Sequence, residues 1–207
     1  FPRLRWRQFL SVGFLGLMGV FAYNAFFLSG MKHIEASRAS MIVANNPILI
    51  ALLSALLFKE PLGGRRLAGI VISVTGALVV ISRGSLGGLL DGGFGKGELL
   101  ILGCVASWVT YSLLGNVLMK DLKPLTVVTY SAVAGTIALA FPAIGEGVLT
   151  HAPHYSLKAW LNIAYLGIFG TVFGYVWFYE GIHRIGAARA GLFINFVPPS
   201  AVFLAWL

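Results

Sequence analysis

Residues 14–56, FLGLMGVFAYNAFFLSGMKHIEASRASMIVANNPILIALLSAL, return without a gap at 165–207 as YLGIFGTVFGYVWFYEGIHRIGAARAGLFINFVPPSAVFLAWL, an offset of 151 residues. Leu15, Gly16, Gly19, Phe27, Gly30, Ile34, Ala36, Arg38, Ala39, Pro47, Leu53 and Leu56 are repeated by identical residues, 12 identities in 43 positions. A composition this biased would give about three or four by chance. Hydropathy places five membrane crossings in each period. Five is odd, so the second copy lies upside down in the membrane relative to the first. Inverted-topology repeats recur in secondary transporters, with the substrate near mid-membrane where the copies meet. The repeat implies transport.

The bulk composition agrees with a lipid solvent. Hydrophobic residues make up 58% of the chain, charged residues 11%, and the mean hydropathy is +0.87. A soluble domain carries about 25% charged residues, so the side chains needed to cover a water-facing surface are lacking. The 15 Lys and Arg against 7 Asp and Glu lie almost entirely between apolar runs, so they read as a topology signal and not as a nucleic-acid surface. Cys104 is the single cysteine, which rules out an intrachain disulfide. Phe1-Pro2-Arg3 is neither an initiator Met nor a signal peptide, and the chain is expected to be truncated at both ends.

Seven apolar segments, near 8–31, 38–58, 66–82, 97–118, 124–145, 159–182 and 188–207, each approach the length needed to cross the hydrocarbon core. Backbone groups in lipid must be satisfied internally, so the expected fold is all-α: a polytopic membrane helix bundle built from two inverted five-helix repeats. About seven of the ten helices are present here. Residues 1–83 read as the last three helices of the first repeat, 84–96 as the linker, and 97–207 as the first four helices of the second. Ten Lys and Arg fall on the side of the N-terminus and five on the other, which makes the N-terminal side cytoplasmic and turns the loops 83–96 and 146–158 outward.

Several constellations suggest a site. Segment one carries Gly13, Gly16 and Gly19, and segment six carries Ala164, Gly167, Gly170 and Gly174. Spacings of three and four line small residues on one helix face, for close packing or for sliding during gating. Asn45-Asn46-Pro47 in segment two and Asn195, Pro198 and Pro199 in segment seven lie inside the membrane. Proline frees a backbone carbonyl, and Asn is costly in lipid unless it bonds or lines water. Locally broken helices around a binding cavity are preferred over an interhelical hydrogen bond with a structural kink. Asn24, Trp108, Tyr111 and Tyr175 add polar and aromatic lining suited to an uncharged, zwitterionic or aromatic small molecule. Glu180 is a candidate for proton coupling, although His183 and Arg184 stand one turn away and offer an ordinary ion pair. His151 and His154 lack partners for a metal site. Gly93 to Gly97 lacks the spacing of a phosphate loop, having Leu90 and Gly97 where Gly and Ser or Thr are required. No nucleophile elbow or metalloprotease motif occurs, so no enzyme, cofactor or metal is expected.

These residues together resemble the drug/metabolite transporter superfamily, specifically the EamA-type family of ten-helix transporters. The resemblance is carried by Ala36-Ser37-Arg38-Ala39, Pro47 and the helix exit Phe58-Lys59-Glu60-Pro61-Leu62. In the second half it is carried by Gly181 to Ala190, with Gly186-Ala187-Ala188-Arg189-Ala190, then Phe193, Asn195 and Pro198. It implies two repeats of the family's type, a bacterial inner-membrane location and export of small metabolites, often amino acids or drug-like compounds. Glu180, where an apolar residue is common, and the Asn45-Asn46 pair depart from the family's usual pattern. The expected partners are a small-molecule substrate and the lipid bilayer, without nucleic acid, and the residues favour no particular oligomeric state. The competing reading is a membrane lipid-handling or assembly protein of the same fold that transports nothing.

Overall fold

The computed structural model describes residues 4–59, 64, 68, 69, 71, 72, 75 and 95–196. Helices account for nearly all of them, and no strand occurs among the described residues. The first span runs from Trp6 to Met31 as α1 (Trp6–Gly16), a π-helical stretch Leu17–Ala22, and α2 (Tyr23–Met31). After a short turn come α3 (Ala36–Val43) and α4 (Asn46–Phe58). Then α5 (Lys96–Leu118) and α6 (Pro124–Gly145) each run unbroken. The last long span is α7 (Leu157–Tyr165), a second π-helical stretch Leu166–Phe173, and α8 (Gly174–Ile185). It is followed by α9 (Ala187–Leu192) and a 3-10 turn Phe193–Phe196.

Four of these spans are long and apolar enough to cross a membrane: Trp6–Met31, Lys96–Leu118, Pro124–Gly145 and Leu157–Ile185. They correspond to the segments expected at 8–31, 97–118, 124–145 and 159–182, the last of which is longer than the hydropathy suggests. Segment 38–58 is interrupted at Ala44-Asn45, and Pro47 occupies the first turn of α4, where its missing N–H costs no helical bond. Most of segment 66–82, the linker 84–94 and residues 197–207, including Pro198 and Pro199, lie outside the described residues. The 146–158 loop contains a helical turn at Val148–His151 and a 3-10 turn at Ala152–His154.

Packing follows the small residues. α2 packs along α5, α1 along α6, and α4 along α9. A Cβ on Gly135 of α6 would stand 2.6 Å from the Gly16 carbonyl oxygen and 2.8 Å from Val20 Cγ1, so the two backbones meet only because both glycines lack side chains. A Cβ on Gly19 would enter the ring of Tyr111. Leu15, Ile101, Val105, Val127, Tyr111 and Tyr179 fill the resulting core and are almost wholly buried. Gly186 joins α8 to α9 with a φ of 84°, a turn that a residue with a Cβ makes only under strain.

At one end of the bundle Arg38, at the start of α3, meets Glu98, at the start of α5, with Nη1 2.8 Å from Oε1. The other carboxylate oxygen of Glu98 accepts the Gly95 N–H at 2.9 Å and caps α5. Glu98 is buried and Arg38 half-buried, with side-chain exposures of 4% and 14%. This pair ties residues 35–38 and 95–98 to the same end of the molecule.

Candidate functional site

The two π-helical stretches stand at equivalent places in the repeat. Adding 151 to Leu17–Ala22 gives Ile168–Phe173, which lies wholly within the second stretch, Leu166–Phe173. A π turn inserts one residue into an α-helix and disturbs its bonding ladder, and such turns concentrate at functional sites. Between the two stretches lies a cavity of about 530 Å³, within the range of small-molecule sites.

Its walls come from both copies. Val20, Tyr23 and Asn24 contribute from the first π stretch and α2, and Gly170, Thr171 and Tyr175 from the second and α8. Val20 and Thr171 are equivalent in the repeat, and so are Asn24 and Tyr175. Trp108 of α5 and Thr136 and Leu139 of α6 complete the lining, which contains no charged side chain among the described residues. Asn24 Nδ2 donates to the Val20 carbonyl at 2.7 Å. Across the cavity, Tyr175 Oη donates to the Gly19 carbonyl at 3.1 Å and thereby joins the copies.

An aromatic cluster stands behind this lining. Trp108 lies 5.3 Å from the ring of Tyr23, 5.5 Å from Tyr175 in an edge-to-face contact, and 5.7 Å from Tyr111. Tyr111 is fully buried beneath the cavity, with its hydroxyl 3.4 Å from Ser131 Oγ. Tyr179 Oη donates to the Tyr111 carbonyl at 2.9 Å, at a point where α5 carries Gly115 and so admits the phenol. Aromatic contacts of this kind fix ring orientation as well as filling volume.

Of the residues the sequence suggested, Asn24, Trp108 and Tyr175 line the cavity, and Tyr111 supports it from below. Asn45 stands at the joint of α3 and α4, where its Nδ2 lies 3.4 Å from the Ile42 carbonyl. Asn46 and Pro47 are buried beside it, outside the lining, and Asn46 Oδ1 has no hydrogen-bond partner among the described residues. Asn195 is exposed on the 3-10 turn. Its neighbour Ile194 and the repeat-equivalent Val43 line a second, apolar cavity of about 260 Å³ on the other side of Tyr23. Glu180 accepts from Arg184 Nε at 3.4 Å, with both side chains open, at 40% and 77% exposure. Thr171 stood among the polar and aromatic residues of segment six that the sequence offered, whereas Thr136 and the Arg38–Glu98 pair were not singled out by sequence reasoning.

The EamA-like transporter family matches residues 1–82 and 95–207. The chain is 30% identical over 192 residues to the uncharacterized transporter YyaM of Bacillus subtilis, covering 93% of this chain and 63% of that protein. It is 29% identical over 196 residues to an uncharacterized transporter of Archaeoglobus fulgidus, covering 95% of this chain and 67% of the relative. A probable terminal-alkyne amino-acid exporter of Streptantibioticus cattleyicolor is 26% identical over 207 residues, covering 99% of this chain and 67% of its own. The chain thus spans about two-thirds of the length of these relatives, and slightly less of YyaM. No solved structure matches it. A helical bundle with several apolar spans and a family match over both halves has one reading: the chain is part of a multi-pass membrane protein and belongs to the EamA-like transporter family.

Proposed function

We propose that the protein is a secondary transporter of the cell inner membrane that exports a small uncharged or zwitterionic molecule by alternating access, with the substrate held in the cavity of about 530 Å³. The observation that carries this reading is the pairing of its walls: Val20 with Thr171 and Asn24 with Tyr175, equivalent residues of two copies facing one space. A site at the meeting of inverted repeats is exposed to one side or the other as the copies rock against each other. The absence of charge from the lining among the described residues favours a substrate whose own charges cancel or are absent, because an unpaired ion is costly there. The name of the Streptantibioticus relative, an amino-acid exporter, supports a zwitterion among the candidates. In this reading the N-terminal side of the chain is cytoplasmic.

The test is efflux from proteoliposomes of the full-length protein, loaded with a panel of amino acids, amines and neutral aromatic solutes. Saturable flux of at least one member, abolished by excess unlabelled solute, is the expected result. Flux of none of them above that of protein-free vesicles would contradict the reading and leave the lipid-handling alternative.

A further inference from the structure

The apolar cavity of about 260 Å³ shares a wall with the larger one. Among the described residues Tyr23 alone belongs to both linings, and its repeat equivalent is Gly174, so the partition is a ring supplied by one copy. That ring is half-buried, lies parallel to Phe27 with centroids 6.2 Å apart, and tilts against Trp108 at 5.3 Å. Both cavities also stand in the same relation to the repeat. The first is walled by the equivalent pairs Val20 with Thr171 and Asn24 with Tyr175, the second by Val43 with Ile194. Equivalent residues of an inverted repeat meet near the axis that relates the copies, so the two cavities lie along one line in the membrane plane. Their chemistry differs. Asn24, Thr136, Thr171 and the Tyr175 phenol put hydrogen-bonding side chains around the first. Phe27, Met31, Val43, Ala44 and Ile194 make the second apolar, with Ser40 its one hydroxyl besides that of Tyr23 among the described residues.

Resting on the transport reading above, we infer that the second cavity seats the apolar end of the same substrate and that Tyr23 is the residue this end turns aside. The substrate is then amphipathic: a small uncharged or zwitterionic head with an alkyl or aryl tail. A polar head in the second cavity would give up water with almost nothing to bond to, whereas an apolar tail gains there by leaving water. The first cavity offers its amide, hydroxyl and phenol groups to the head. Continuity through Tyr23 fixes the occupant, because a tail that passes the ring stays attached to a head on the other side. Tyr23 is thereby a specificity-determining residue. Short molecules leave its ring in place, and only those long enough to gain from the second cavity displace it.

The experiment titrates the purified full-length protein calorimetrically with two straight-chain series and follows efflux of the same compounds from proteoliposomes. One series is zwitterionic (alanine, norvaline, norleucine and their longer homologues) and the other uncharged (the matching alkylamides). In the series whose head the first cavity accepts, binding is expected to strengthen about fourfold for each methylene that reaches the second cavity, the gain of burying one such group. Val43→Phe and Ile194→Phe, one filling from each copy, should each flatten that rise. Tyr23→Ala should raise the ratio of long-chain to short-chain affinity severalfold, because no ring has then to move, and an unchanged or smaller ratio would overturn its role. Affinity independent of chain length in both series, or fillings that weaken all members by one factor, would overturn the second seat. So would a rise that survives both fillings while they release a co-purified phospholipid, which makes the occupant a lipid chain. If the protein moves solutes of the panel without regard to chain length, this inference fails while transport stands. If it moves nothing in the panel or the series, the transport reading fails with it.

Discussion

Gly19 and Gly170 hold the same place in the repeat but meet different surroundings. A Cβ on Gly19 would run into the fully buried Tyr111 ring, whereas a Cβ on Gly170 would meet nothing within 4 Å among the described residues. Gly19→Ala is therefore expected to cost about 1–3 kcal/mol through overpacking. Gly170→Ala is expected to be neutral or to stabilise by about 0.5–1 kcal/mol, because alanine is the better helix former. Thermal unfolding of the two purified variants checks this, and equal shifts would contradict the packing described for Tyr111. A second residue-scale expectation concerns Glu98. Arg38→Ala leaves a buried carboxylate without its cation and should cost about 3–5 kcal/mol. Glu98→Gln should cost less, since an amide oxygen still accepts the Gly95 N–H. The reverse order of unfolding temperatures would show that the charge pairing is incidental. The sequence marked Gly16 and Gly19 as a packing stripe because spacing reveals a shared helix face. It could not mark Glu98, which reads as an ordinary charge at a segment end until α3 is known to lie beside α5.

Among the helices, the π stretches explain most of what hydropathy missed. A π turn adds one residue without changing composition or average hydropathy, so the two stretches are invisible in the apolar pattern that revealed their spans. The interruption at Ala44-Asn45 was more legible, because Asn45-Asn46-Pro47 carries both a proline and polar side chains. The same cue was less informative about the site: Asn45 and Asn46 lie at that joint and not on the cavity wall, and Asn195 is exposed. Periodicity gives a residue's face on its helix but not which neighbour that face meets. Glu180 illustrates the point from the other side. It sits four residues before Arg184 on the last turns of α8, bonded at 3.4 Å and open to the exterior, away from the lining of the cavity. Glu180→Gln is accordingly expected to leave any response of transport to an imposed pH gradient unchanged in proteoliposomes. A gradient response present in the wild type and absent from that variant would make Glu180 the coupling group.

For the whole molecule, the repeat was readable because seven of its 12 identities are glycines, alanines, a proline and an arginine, residues that backbone geometry and packing hold in place. The shared cavity was foreshadowed by that repeat, while its walls depended on positions where the copies differ, Val20 against Thr171 and Asn24 against Tyr175. Orientation rests on the ten-to-five distribution of basic residues. Single cysteines placed in the 83–96 loop of a Cys104→Ala background should react with an impermeant thiol reagent from outside the cell, and cysteines at 59–66 should not. The opposite labelling would invert the topology. The central claim, that one substrate is held between equivalent residues of the two copies, is tested most directly by the apparent affinity for the best-transported solute in proteoliposomes of Asn24→Leu and Thr171→Val, one wall from each copy. Each variant, inserted and as stable as the wild type, is expected to bind about 10- to 100-fold more weakly, as is typical for the loss of one pocket contact. Wild-type affinity in both would contradict the claim.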